Sequence, residues 1–124
     1  MGLYWNEGIM ALSEFEERRF GKAVEKFLEK RRPPAYMRDK LDIGYRQEGQ
    51  SVEIFEIRPV WNNPSEKMEA SIAKATYVKS SDLWKVYWKR ADLKWHGYEP
   101  CPVVKTLEEF LKIVDEDQYH CFWG

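Results

Sequence analysis

The amino-acid sequence predicts an α+β fold: an N-terminal helix, an antiparallel β-meander of four to five strands and a C-terminal helix, in one domain spanning residues 1–124. Three observations predict it. Two stretches repeat apolar residues at three- and four-residue spacing behind a Ser/Thr-x-x-Glu start. Between them, apolar and polar residues alternate along several short runs, which is the period of half-buried strands. Clusters of Gly, Pro, Asn and Ser punctuate those runs as turns.

Ser13 and Glu16 open the first helix as a capping box, each side chain placed to satisfy a free backbone N–H at the helix start. Phe20, Ala23, Val24, Phe27 and Leu28 form its apolar stripe. Glu14, Glu16 and Glu17 sit early and Lys30, Arg31 and Arg32 late, as the helix dipole favours. Pro33 and Pro34 end it. Residues 1–12 either extend this helix or form an arm. Leu41, Ile43 and Tyr45 then alternate with Asp42, Gly44 and Arg46 in a first strand, and Glu48-Gly49 makes a hairpin turn. Val52 to Ile57 is apolar on both parities apart from Glu53 and Glu56, which suits a central strand. Pro59 and the cluster Asn62-Asn63-Pro64 mark its end and a loop. Residues 70–79 make a third strand and Ser80 to Asp82 a turn. Leu83 to about Trp95 makes a fourth strand, or a fourth and a fifth. Pro100 and Pro102 break the sheet. Thr106 and Glu109 repeat the capping box, and Leu107, Phe110, Leu111 and Val114 give a second stripe. The acidic run Asp115 to Asp117 reads as a solvated helix end, and the aromatic tail from His120 as a segment that packs.

Composition limits the function classes. Aromatic residues are 15% of the chain and charged residues 33%, so an aromatic core lies under a charged skin. A net charge of −1 gives no global pull toward nucleic acid or an anionic membrane; such binding needs a local patch. No apolar run approaches the about 18 residues of a membrane span. The N-terminus lacks a basic region and carries Glu7, unlike a secretory leader. Two cysteines are too few for a disulfide scaffold. The expectation is a cytoplasmic protein with reduced thiols, no membrane association and no cofactor.

Residues 83–98 carry most of the functional information. Trp84, Val86 and Trp88 fall on even positions, but Ala91, Leu93 and Trp95 on odd ones. If one face stays buried, the phase must slip near Arg90. A β-bulge does this, and bulges are frequent beside functional sites; a turn at Arg90-Ala91 is the alternative. With a slip, the outward row is Lys85, Tyr87, Lys89, Asp92, Lys94 and His96. From Lys74 to Tyr98 six Lys or Arg stand against two Asp, a local charge of about +4 in a net-negative chain. Basic residues interleaved with aromatics on a sheet face suit single-stranded nucleic acid, whose bases stack on rings and whose phosphates meet cations. Lys85, Tyr87, Lys89, Arg90 and Arg58 form the candidate binding set. A tryptophan core beneath a wet lysine face is the purely structural alternative.

Other chemistries have weaker signals. Asp92-Leu-Lys94 has the acid-x-Lys form of metal-dependent nucleases, with Glu56 or Asp42 as second acid and His96 as a base. That type also needs a crossover helix between strands, which the sequence lacks. Asp92 and His96 share a parity but lie about 13 Å apart on an extended strand, so they pair only if the backbone bends. His96, Cys101, His120 and Cys121 are zinc-type ligands without zinc-type spacing, so no metal site is expected. No phosphate-binding Gly-rich loop or nucleophile elbow is present.

The runs RDKLDIGYRQEGQSVEIFEIRPVW, AKATYVKS, WKVYWKRADLKWHGYEP and VDEDQYHCFWG together resemble an uncharacterised bacterial family, domain of unknown function 3024. The resemblance covers about residues 34–124, and its most specific part is Arg90 to His96. It implies a small bacterial protein of this architecture and brings no activity, substrate or cofactor. The leading functional expectation is therefore a non-enzymatic module that contacts a polyanion such as single-stranded nucleic acid. The alternatives are a metal-dependent hydrolase or nuclease using Asp92, Lys94, His96 and Glu56, and a homodimer built on exposed Trp61, Tyr87 and Trp95.

Overall fold

The computed structural model describes residues 13–123, so the alternatives for residues 1–12 lie outside the described residues. Helix α1 spans Glu14–Arg31. Its capping box is closed on both sides: the Ser13 hydroxyl accepts from the Glu16 N–H at 3.1 Å and the Glu16 carboxylate from the Ser13 N–H at 3.0 Å. A short 3-10 turn at Ala35–Met37 follows the proline pair. Then come strands β1 (Asp42–Glu48), β2 (Ser51–Val60), β3 (Asn63–Val78), β4 (Leu83–Lys89), β5 (Trp95–Gly97) and β6 (Val103–Val104), and helix α2 (Leu107–Glu116). All pairings are antiparallel, in the order β1-β2-β3-β4-β5, and β6 also pairs with β4. The α+β reading holds, with helices at both ends of an antiparallel sheet. Among the described residues no helix is long and apolar enough to cross a membrane.

Three local expectations are corrected. Pro59 does not end β2, which continues to Val60; β1 pairs β2 only as far as Ile57, so the missing N–H of Pro59 leaves no β1 partner unmet. The expected loop at 62–64 shrinks to a turn at Trp61 and Asn62, and β3 starts at Asn63 rather than residue 70. Residues 63–69 are all exposed, so they carry no buried alternation to betray a strand. β4 reaches back only to Ala73 and β1 only to Ile57, so past the Ile57–Glu69 pair β2 and β3 project as a two-stranded ribbon. Finally, Pro102 does not exclude sheet: β6 follows it directly and takes the part of the β4 edge that β5 leaves free.

A bulge exists, but it interrupts β3 beside Ile54 and Phe55 of β2 rather than β4 near Arg90. Ile54 pairs with Ala73 and Phe55 with Ser71, so Ile72 is the extra residue. Both helices pack on one sheet face. Phe20 of α1 meets Trp84 of β4 edge-on at 4.9 Å, and Val24, Val52, Ile54, Val86, Leu107, Phe110 and Val114 complete the core around them. Burying these rings and aliphatic side chains contributes about 1.5–3 kcal/mol each, relative to leaving them exposed.

Candidate functional site

Strand alternation and register decide what the other sheet face presents. Ala73, Ala75, Trp84 and Val86 face the core. Lys74 and Thr76 of β3, Lys85, Tyr87 and Lys89 of β4 and Trp95 of β5 therefore face outward, and no described helix lies over them. The lysines and rings interlock. The Lys74 ammonium lies 5.1 Å from the Tyr87 ring centroid and 4.8 Å from that of Trp95, and the Lys89 ammonium lies 5.1 Å from Trp95. Both rings are half-buried and Lys85 is exposed. The ion pairs among the described residues include none of Lys74, Lys85 and Lys89.

The same face is different over β1 and β2. There Arg46 stacks on Phe55 at 4.4 Å and pairs with Glu69 at 2.6 Å, close to Glu53 as well. Glu53 in turn accepts from the Ser71 hydroxyl. This half is closed by its own partners, so the open cations are confined to the β3–β5 half.

The remaining expected residues fall elsewhere. Arg58 shares the core-side parity of β2 and pairs with Glu56 at 3.1 Å, so it does not join the lysine face. Arg90 directly follows β4 and lays its guanidinium 5.5 Å from the ring of Trp88, a core-side residue. Trp61 is 90% exposed at the tip of the ribbon, ten strand residues beyond the Ala73–Trp88 pair, so it makes no common face with Tyr87 and Trp95.

Asp92 and His96 do pair, contrary to the distance expected on a straight strand. The chain reverses over Ala91–Leu93, with Leu93 at φ 63° and Arg90 N–H bonded to the Lys94 carbonyl at 3.2 Å. The phase slip in the sequence is thus a hairpin turn between β4 and β5. The Asp92 carboxylate accepts from the Lys94 backbone N–H at 2.9 Å and bonds His96 Nε2 at 2.8 Å. These two contacts, the backbone one first, hold its carboxyl below the usual carboxylate range. Glu56 lies on β2, with β3 between it and this hairpin, and is held by Arg58. The two acids of the nuclease reading are therefore not brought together. Among the described residues no three His, Cys, Asp or Glu gather as metal ligands would.

Between this hairpin and the C-terminal tail lies a cleft of about 420 Å³, lined by Trp88, Arg90, His96, Glu99, Tyr119 and Cys121 among others. The tail that forms one wall is fixed by Asp117, which sequence reasoning placed in a solvated run. Asp117 is only 7% exposed and adopts φ 41°, the left-handed position after α2. Its carboxylate accepts the backbone N–H groups of Cys121 and Phe122 (2.8 and 3.0 Å) and of Trp123 (2.9 Å). The Trp123 indole donates to the Val114 carbonyl at 2.8 Å, and Arg31 of α1 stacks on it at 4.4 Å. The tail packs, as expected, but onto an acid. The available signal was an Asp directly after a helix stripe, since Asp is one of the few non-glycine residues that adopt this conformation readily. Burial, then the neighbouring Asp117 charge, pushes the Cys121 thiol up, while Arg90 opposes them.

Residues 12–124 match the family described as Domain of unknown function (DUF3024), and the chain belongs to it. No curated protein and no solved structure matches.

Proposed function

We propose that this member of the DUF3024 family is a non-enzymatic binding module that takes a polyanion, single-stranded nucleic acid in particular, on the open β3–β5 face. One observation carries the reading: three lysines without ion-pair partners among the described residues interleave with two half-buried rings on a sheet face that no described helix covers. Lysines that already sit over rings are held near the surface that a base would stack on. The phosphates then replace solvent as their partners.

Three neutralised phosphates give a salt slope of about −2 for a single strand, so affinity falls about 20-fold between 50 and 200 mM salt. Fluorescence anisotropy with an oligonucleotide of about twelve nucleotides measures this directly. Lys85→Ala and Lys89→Ala should each weaken binding and flatten the slope by about 0.7. Tyr87→Ala should cost about 1–3 kcal/mol with the slope unchanged. Absence of binding at low salt, or binding indifferent to both lysines, rejects the proposal.

A further inference from the structure

The cleft beside the β4–β5 hairpin lies off the lysine face and is built differently. Its cation, Arg90, is in none of the ion pairs among the described residues, in a chain with 21 acidic residues. Its guanidinium lies over the Trp88 ring, 5.5 Å from the centroid. His96 is fixed through one ring nitrogen only. Asp92 holds Nε2, and Nδ1 has no protein partner among the described residues. Both side chains line the cleft, with Trp88 and Tyr119 as aromatic walls and Glu99 as the one carboxylate on its lining. A guanidinium offers paired N–H donors in a plane, the geometry that carboxylate and phosphate oxygens accept best.

We propose that this cleft is a small-molecule site for a planar aromatic oxyanion, its carboxylate or phosphate held by the Arg90 guanidinium and its ring lying against Trp88 and Tyr119, with His96 on the lining. The volume, about 420 Å³, is within the ordinary range of ligand pockets. Asp92 is a positioning residue here, because it orients the imidazole without lining the cleft. The tail supplies Tyr119 and Cys121, so the site is complete only when Asp117 holds the tail down.

Phenyl phosphate is the probe, followed by NMR of the Trp88 indole, the His96 ring and the Arg90 side chain. Saturable shifts confined to these groups are expected, with half-saturation near or below about 1 mM. Arg90→Ala should weaken the probe about tenfold or more, and inorganic phosphate, which has no ring, should bind more weakly still. Lys85→Ala should leave phenyl phosphate binding unchanged, and Arg90→Ala should leave oligonucleotide binding unchanged, so this site and the open face fail or succeed separately. A second readout needs no variant: the probe should slow alkylation of Cys121, which lines the cleft, and not of Cys101, which is not among its lining residues. No saturable shift, shifts centred on Lys74, Lys85 and Lys89, or equal protection of both thiols would overturn the proposal.

Discussion

Replacing Asp117 tests the tail clamp and, through it, one wall of the cleft. Asp117→Ala removes the acceptor of three backbone N–H groups at 2.8–3.0 Å. Hydrogen bonds to a charged acceptor are each worth about 1.5–3 kcal/mol, but the three cannot simply be summed. The tail has an escape: it can undock and give its N–H groups to water. Undocking exposes Phe122, which is 5% exposed in the fold and worth about 1.5–3 kcal/mol, and breaks the Trp123 bond to Val114, worth about 1 kcal/mol. Regained chain entropy offsets part of this, about 1–2 kcal/mol for each residue freed. The expected loss is about 2–4 kcal/mol, or a Tm lower by roughly 10 °C for a domain of this size. Asp117→Gly separates side chain from backbone. Glycine relieves about 1 kcal/mol of left-handed strain while also deleting the carboxylate, so it should remain clearly destabilising. Urea denaturation at neutral pH measures both variants. If Asp117→Gly matches or exceeds the wild type, the residue is only a helix terminator and the clamp argument fails.

Two further outcomes follow from local geometry. Gly44→Ala would place a Cβ 2.9 and 3.0 Å from two ring carbons of Phe55, which Arg46 presses from its own side. It should cost about 1–3 kcal/mol by denaturation, while Gly97→Ala, with nothing within 4 Å, should be nearly neutral. Tyr77 donates to Asp82 at 2.7 Å, and that bond with partial burial pushes its phenol up to about 12. Its neutral form is favoured by folding, so the contribution is complete below the ordinary tyrosine value near 10 and is lost as pH rises through about 12. Ultraviolet titration should show a late tyrosine that ionises earlier in Asp82→Asn; an unchanged titration curve would remove this assignment.

What the sequence disclosed was whatever is local. Ser13 with Glu16 and Thr106 with Glu109 are three residues apart, and each pair satisfies its own helix start whatever the tertiary fold. Gly49 at φ 57° made the β1–β2 turn equally plain. Residues 83–95 were ambiguous because a bulge and a turn produce the same slip of phase, and Leu93 adopts φ 63° where a glycine or asparagine would have announced the reversal. That single turn decides whether Asp92 and His96 are about 13 Å apart or hydrogen-bonded. The lysine row was legible from alternation alone. Its third cation, Lys74, joined only through the β3–β4 register, which no single-strand pattern contains. The cleft was invisible for the same reason: it joins residues 88–100 to 119–121 across the fold.

The projecting ribbon has a consequence for behaviour at high concentration. Beyond Ala73, β3 has no neighbour on its β4 side among the described residues, and a bare strand edge is a template on which another chain can add. Here the exposed stretch Asn63 to Glu69 carries Pro64, Glu66, Lys67 and Glu69. A proline that cannot donate and three charges that resist desolvation make that edge a poor seed for fibrils. These polar residues contribute nothing to the core and hid the strand from sequence reading. Their effect is kinetic and collective: they keep neighbouring molecules from continuing the sheet.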